Sequence, residues 1–159
     1  MIFLADRARY TQRTLLREIH GRLSKQPGCV NVRYEPARRR PRSVSADVET
    51  AAFLGESYDV EQARLEVRFW YPAGVDYEYY RINWVEPTRE LMLGFHRDSD
   101  HPDIGQCHLQ LDHEDSTITR SGVAFSDGHP LAVLDARLQQ IPAVLTEMQW
   151  ENGHPSLTE

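Results

Sequence analysis

At 159 residues, with 40% hydrophobic and 9% aromatic content, the chain suits one domain with a real core and is too apolar to be disordered. No apolar run approaches the ~20 residues of a membrane helix, and the N-terminal MIFLADRAR lacks the basic region and cleavage pattern of an export signal, so a cytoplasmic protein is predicted. Net charge is −6, yet the 18 basic residues include a single lysine, Lys25. Arginine grips phosphate bidentately, although a GC-rich genome leaves the same bias. An acidic chain meets a polyanion only where positive charge is gathered locally. Cys29 and Cys107 have no CxxC spacing and are expected to be reduced thiols.

In chain order, Asp6 can cap a first helix over 6–24. Ala8, Gln12, Leu15, Leu16, Ile19 and Leu23 recur at helical spacing, and Pro27-Gly28 closes it. CVNVRY (29–34) reads as a short strand, followed by PARRRPRS (36–43), a proline-flanked arginine loop. Residues 44–54 fit either state, because Val44, Ala46 and Val48 alternate while 51–54 could be helical. Leu65, Val67 and Phe69 alternate with charged residues in a strand ended by Pro72 and Gly74. Residues 77–84 give a second strand, and 86–88 a turn. Residues 91–96 and 107–112 supply two more strands, and 116–125 an edge strand. Short connections between successive strands predict an antiparallel meander. SDGH (126–129) reads as the turn entering the last helix. From Pro130, Leu131, Leu134, Leu138, Ile141, Leu145 and Met148 form one apolar stripe, with a kink or a break into two helices expected at Pro142. The prediction is a single α+β domain over 1–150. It has an N-terminal helix, an antiparallel β-meander of about five or six strands and a C-terminal helix packed on one sheet face, with 151–159 as a flexible tail.

Four of the seven histidines crowd HRDSDHPDIGQCHLQLDH (96–113), interleaved with aspartates between two strands. In HLQLD, Leu109 and Leu111 point one way and His108, Gln110 and Asp112 the other. In LMLGFH, Met92, Gly94 and His96 oppose the apolar set. If the strands pair across the intervening loop, His96 and His108 share a face, with Arg97, Asp98 and His101 at its rim, while His113 falls on the apolar side. Such a cluster offers an acid, a base and a cation near one phosphate, because imidazole titrates near working pH and guanidinium stabilises charge without titrating. The same residues also make an ordinary solvated turn. His96, His101, His108 and His113 match no standard zinc spacing, so no metal or other cofactor is predicted, with a mixed set of Asp98, His101 and His108 as the alternative.

Arg38, Arg39, Arg40 and Arg42 could track a phosphate backbone or remain a solvated basic loop. Trp70, Tyr71, Tyr77, Tyr79, Tyr80 and Trp84 could stack bases, though strand spacing favours core and cross-strand packing. There is no P-loop, dinucleotide fingerprint, GxSxG elbow or HExxH, which counts against the commonest nucleotide-dependent and hydrolase classes.

YEYYRINW (77–84), then a turn, then LMLGFHRDSDHPDIGQCHLQLD (91–112) resembles the TumE family of toxins from type II toxin–antitoxin pairs, over roughly residues 65–145. Arg97-Asp98 matches the family's strand end, His101-Pro102-Asp103 its His-Pro-acidic loop, and His108 the first histidine of its second group. Gln110 stands where the family has a further histidine, and the N-terminal 60 residues lie outside the match. The resemblance implies a growth inhibitor neutralised by a cognate antitoxin protein, with RNA as target; a second copy of the chain is a separate candidate partner. The resemblance further implies metal-independent ribonuclease chemistry, with His108 and His101 as acid and base, Arg97 as phosphate clamp, Asp98 orienting an imidazole and His96 alongside. The alternative is a non-enzymatic nucleic-acid- or protein-binding module using the arginine loop and the aromatic sheet face.

Overall fold

A computed structural model describes residues 2–74, 78–124 and 128–158, with the side chains of 2–11 outside that description. The elements in order are α1 (Ile2–Lys25), β1 (Cys29–Glu35), β2 (Ser43–Glu49), α2 (Thr50–Leu54), β3 (Gln62–Trp70), β4 (Tyr79–Glu86), β5 (Leu91–Arg97), β6 (Cys107–His113), β7 (Ser116–Gly122), α3 (Pro130–Glu147), β8 (Gln149–Glu151) and β9 (His154–Ser156). Strands β1 to β7 form one antiparallel sheet in sequence order, and β8 pairs with β9. The seventh strand comes from the ambiguous 44–54 stretch, which divides into a strand followed by a short helix.

The helix begins at Ile2, so Asp6 lies within α1 rather than capping it. The expectations resting on Ala8, Tyr77 and the 125–127 segment lie outside the described side chains and residues. Leu15, Leu16, Ile19 and Leu23 from α1, and Val133, Leu134, Leu138, Ile141 and Leu145 from α3, are buried in one core. They meet the strand residues of one parity, among them Val67, Phe69, Ile82, Trp84, Leu93 and Leu111, because alternate strand residues point to opposite sides. Full burial of each such side chain is worth about 1.5–3 kcal/mol, which holds both helices to the same face and leaves the other without one.

Helix α3 runs unbroken through Pro142, a difference from the expected interruption. Its ring removes one backbone donor, and Thr146 Oγ1 donates to the Pro142 carbonyl at 2.9 Å. His129 caps the helix, its Nδ1 accepting from the Leu131 N–H at 3.2 Å. Residues 149–156, mostly within the expected tail, form the β8–β9 hairpin. There the Trp150 and His154 rings lie against His113, at 5.7 and 5.9 Å between centroids. No helix among the described residues is long and apolar enough to cross a membrane.

In a meander, alternate connections emerge at the same end of the sheet. The arginine loop between β1 and β2 and the histidine loop between β5 and β6 are therefore at one end, and the β4–β5 turn at Pro87–Arg89 at the other.

Candidate functional site

The register across four strands sets up the site. Arg68 on β3 lies opposite Arg81 on β4, Arg81 opposite His96 on β5, and His96 opposite His108 on β6. Strand spacing of about 4.8 Å makes this a straight row spanning roughly 14 Å on the helix-free face. The next row runs Glu66, Asn83, Gly94, Gln110 and Arg120. Neither row is visible in any one strand. Period-2 alternation alone put His96 and His108 on the same face, as the register does.

The two imidazoles meet edge to face at 5.2 Å between ring centroids, and His101 from the loop stands edge to face with His108 at 5.1 Å. His108 is 1% exposed and His96 4%, whereas His101 is half-buried, so His101 is the member of the group that faces solvent. Two glycines make this packing possible. A Cβ on Gly94 would lie 2.2 Å from Asn83 Oδ1 and 2.5 Å from His96 Nε2, the two atoms that hydrogen-bond across it at 2.7 Å. A Cβ on Gly122 would lie 2.4 Å from the Ile104 carbonyl oxygen, so the missing side chain lets the turn Pro102–Ile104 settle on β7 and carry His101 inward.

Burial is the main electrostatic force on the pair. It pushes the His96 pKa down to about 3, assisted by His108 and Arg81, with Arg120 adding to the same side and Asp98 opposing. Burial also lowers His108, with His101 and Arg120 acting the same way, while Asp98 and a weak contact with the Gln110 side chain resist. Both rings are held uncharged at neutral pH, and each keeps one nitrogen lone pair. With Asn83 Oδ1 accepting, His96 Nε2 carries the proton and Nδ1 the lone pair. His108 is different: both of its ring nitrogens are buried without a hydrogen bond that meets ordinary geometry. A buried polar group left in that state costs about 1–3 kcal/mol. Asp98 is also buried, and its Oδ1 accepts the Asp100 N–H at 3.1 Å. One ligand atom from each of His96, Asp98 and His108 falls within a 4.8 Å group.

The remaining sequence candidates divide. Arg97 is not beside the histidines. Its strand parity is that of Phe95, opposite Tyr80 and Cys107, and its guanidinium lies 3.7 Å from Glu78 Oε1 and donates to Gln106 Oε1 at 3.4 Å. In the arginine loop, Arg38 and Arg39 line a groove with Arg13 and Arg17 of α1, while Arg42 is near enough to Arg68 to disfavour its charge. The aromatic set splits by parity as well. Tyr80 and Trp84 are core, whereas Trp70 and Tyr79 are half-buried, paired in register directly beside Arg68 and Arg81, with rings 5.7 Å apart. His113 lies on the apolar side.

Asn83, Gly94, Arg68, Arg81 and Arg120 were not singled out from the sequence. Strand alternation carries the signal for Arg68 and Arg81, each two residues from an aromatic of the same face. Gln110 accepts from Arg120 Nε at 3.1 Å and donates to the Asp112 carboxylate.

Fold and site together define an α+β protein whose seven-stranded meander carries helices on one face and an arginine–histidine row on the other. No family model, curated protein or solved structure matches the chain.

Proposed function

We propose that this protein binds single-stranded RNA across the helix-free sheet face and cleaves it at the histidine loop, as the toxin of a toxin–antitoxin pair. The row Arg68–Arg81–His96–His108 carries the reading. Like charges directly opposite on neighbouring strands are destabilising, and Arg68 titrates below the ordinary arginine range through burial first, then through Arg81 and Arg42. A phosphate chain is the natural counter-charge for such a row, and it needs positive charge locally rather than over a chain of net charge −6. Arg68 lies over the Trp70 ring at 4.4 Å, and Tyr79 meets that ring edge-on at 5.7 Å, so aromatic side chains adjoin the guanidiniums on this face.

His101 is the imidazole within reach of a phosphodiester. It accepts the proton of a ribose 2′-hydroxyl as that oxygen bonds to phosphorus. The P–O5′ bond then breaks, and the leaving oxygen takes a proton from water, giving a cyclic phosphate and a 5′-hydroxyl end. Arg81 and Arg120 hold the charge that builds on phosphorus.

Fluorescence anisotropy with a single-stranded RNA oligomer tests binding. The double variant Arg68→Glu/Arg81→Glu should lose most affinity, with a salt slope shallower by roughly 0.7 per phosphate contact removed. His101→Ala should bind as the parent does and cleave about 100-fold more slowly. In cells, the parent should arrest growth, the double variant should not, and the product of an adjacent reading frame should restore growth. Unchanged affinity in the double variant removes the row as the binding surface. Unchanged cleavage in His101→Ala leaves a binding module without this chemistry.

A further inference from the structure

We propose that His96, Asp98 and His108 form a binding site for one divalent first-row transition-metal ion, of the zinc, iron or cobalt class. The sequence spacing pointed away from a metal, because His96 and His108 come from two strands, with Asp98 just past the end of β5, and their meeting depends on register.

The ligand atoms lie within 4.8 Å of one another. An ion with bonds of about 2.0–2.2 Å sets its ligand atoms roughly 3–3.5 Å apart, so closing the set around an ion takes about an ångström of side-chain rotation. All three side chains are at least nine-tenths buried, so the ligand atoms lie beneath the surface rather than on it.

His108 supplies the independent observation. It is 1% exposed with neither ring nitrogen making a hydrogen bond of ordinary geometry, directly across the ladder from His96 and beside Asp98. A metal ion satisfies such a nitrogen without any rearrangement of the fold. His96 is arranged as metal-bound histidines usually are, with one ring N–H held by a carbonyl-type oxygen, here Asn83 Oδ1 at 2.7 Å, and the other nitrogen keeping its lone pair. Gly94 leaves room for that contact. Asp98 has one oxygen engaged by a backbone N–H, which fixes the carboxylate and leaves the second oxygen for an ion.

The donor set narrows the ion. Two imidazoles and one carboxylate suit zinc, iron, cobalt and nickel, whereas magnesium and calcium prefer all-oxygen shells. Three protein ligands leave further positions on the ion for water or substrate, and His101, ring-to-ring with His108, flanks them.

The test uses the full chain without an affinity tag, stripped with chelator and dialysed, and with no RNA present, so its result is independent of the RNA reading. Zinc is titrated by calorimetry and cobalt by visible absorption. The parent should bind one equivalent and show the d–d bands of protein-bound cobalt. Asp98→Asn and His108→Phe should bind at least 100-fold more weakly, and Asn83→Ala between 10- and 100-fold more weakly, because it acts only by orienting His96. His113→Phe, at the separate ring cluster with Trp150 and His154, should bind as the parent does. If His108→Phe fails to fold by circular dichroism, the near-isosteric Asp98→Asn decides alone. Failure of the parent to bind either ion below millimolar concentration overturns the proposal. So does binding that Asp98→Asn leaves unchanged.

Discussion

Two buried polar clusters sit at opposite ends of one sheet, and they are finished differently. At the β4–β5 end, Glu86 is fully buried, and its carboxylate accepts from the Tyr58 hydroxyl, from Trp84 Nε1 at 3.0 Å and from Arg89 Nε at 2.8 Å. Arg89 is itself stacked over Trp150 at 4.3 Å, so the cluster ties the 55–61 connection and the C-terminal hairpin to the sheet. At the other end, His96 has one good partner, Asp98 shares one oxygen, and His108 has no hydrogen bond of ordinary geometry. The first cluster has the form of a structural tie. The second keeps lone pairs free at a stability cost, which is how a site built for a ligand or a reaction differs from one built for the fold.

Substitution can break this contrast, and the largest effect is expected at Glu86. Glu86→Ala leaves the donors of Tyr58, Trp84 and Arg89 without their acceptor and should cost about 3–5 kcal/mol, lowering Tm by roughly 10 °C or more in a thermal melt. A change under 1 kcal/mol would show that the cluster is not a structural tie.

Gly94→Ala comes next. The added methyl group meets Asn83 Oδ1 and His96 Nε2 far inside contact distance, and both belong to side chains that can move only by giving up their hydrogen bond. The expected loss is about 1–3 kcal/mol in denaturant unfolding. A variant as stable as the parent would show that the Asn83 and His96 side chains yield to the methyl group without cost.

His108→Phe sharpens the comparison most. In chelator-treated protein, removing an imidazole that has no hydrogen bond should leave stability within about 1 kcal/mol of the parent, or raise it. Destabilisation on the scale of Glu86→Ala would mean that the histidine cluster is also a structural tie. The smallest effect is at Arg68. Arg68→Gln relieves the opposition to Arg81 and should stabilise by a few tenths of a kcal/mol while weakening RNA binding several-fold. Loss of both stability and affinity would instead assign Arg68 a packing role through Trp70.

Legibility followed the range of the interaction. The shared face of His96 and His108, and the exclusion of His113, came from alternation within single strands, because backbone geometry fixes side-chain direction every second residue. The same rule turns Arg97 to the other face of the sheet from His96, although the sequence reading set it at the rim of the histidine cluster. Pro142 shows the converse. Its missing donor favours interruption locally, yet Leu138, Ile141 and Leu145 are held in the core on either side, and tertiary packing keeps the helix whole.

By itself, the sequence determined the α+β class, the order of the main helices and strands outside residues 44–54 and the C-terminal hairpin, and the faces to which His96, His108 and His113 point, because these depend on periodicity and chain punctuation. Only the tertiary structure decided which residues become neighbours across strands. The Arg68–Arg81–His96–His108 row, the Asn83–His96 bond over Gly94 and the return of His101 over His108 depend on register and on close backbone approach at Gly94 and Gly122. Register is set by turn lengths and by burial of the opposite face, so the polar face inherits its arrangement from a core that contains none of its residues.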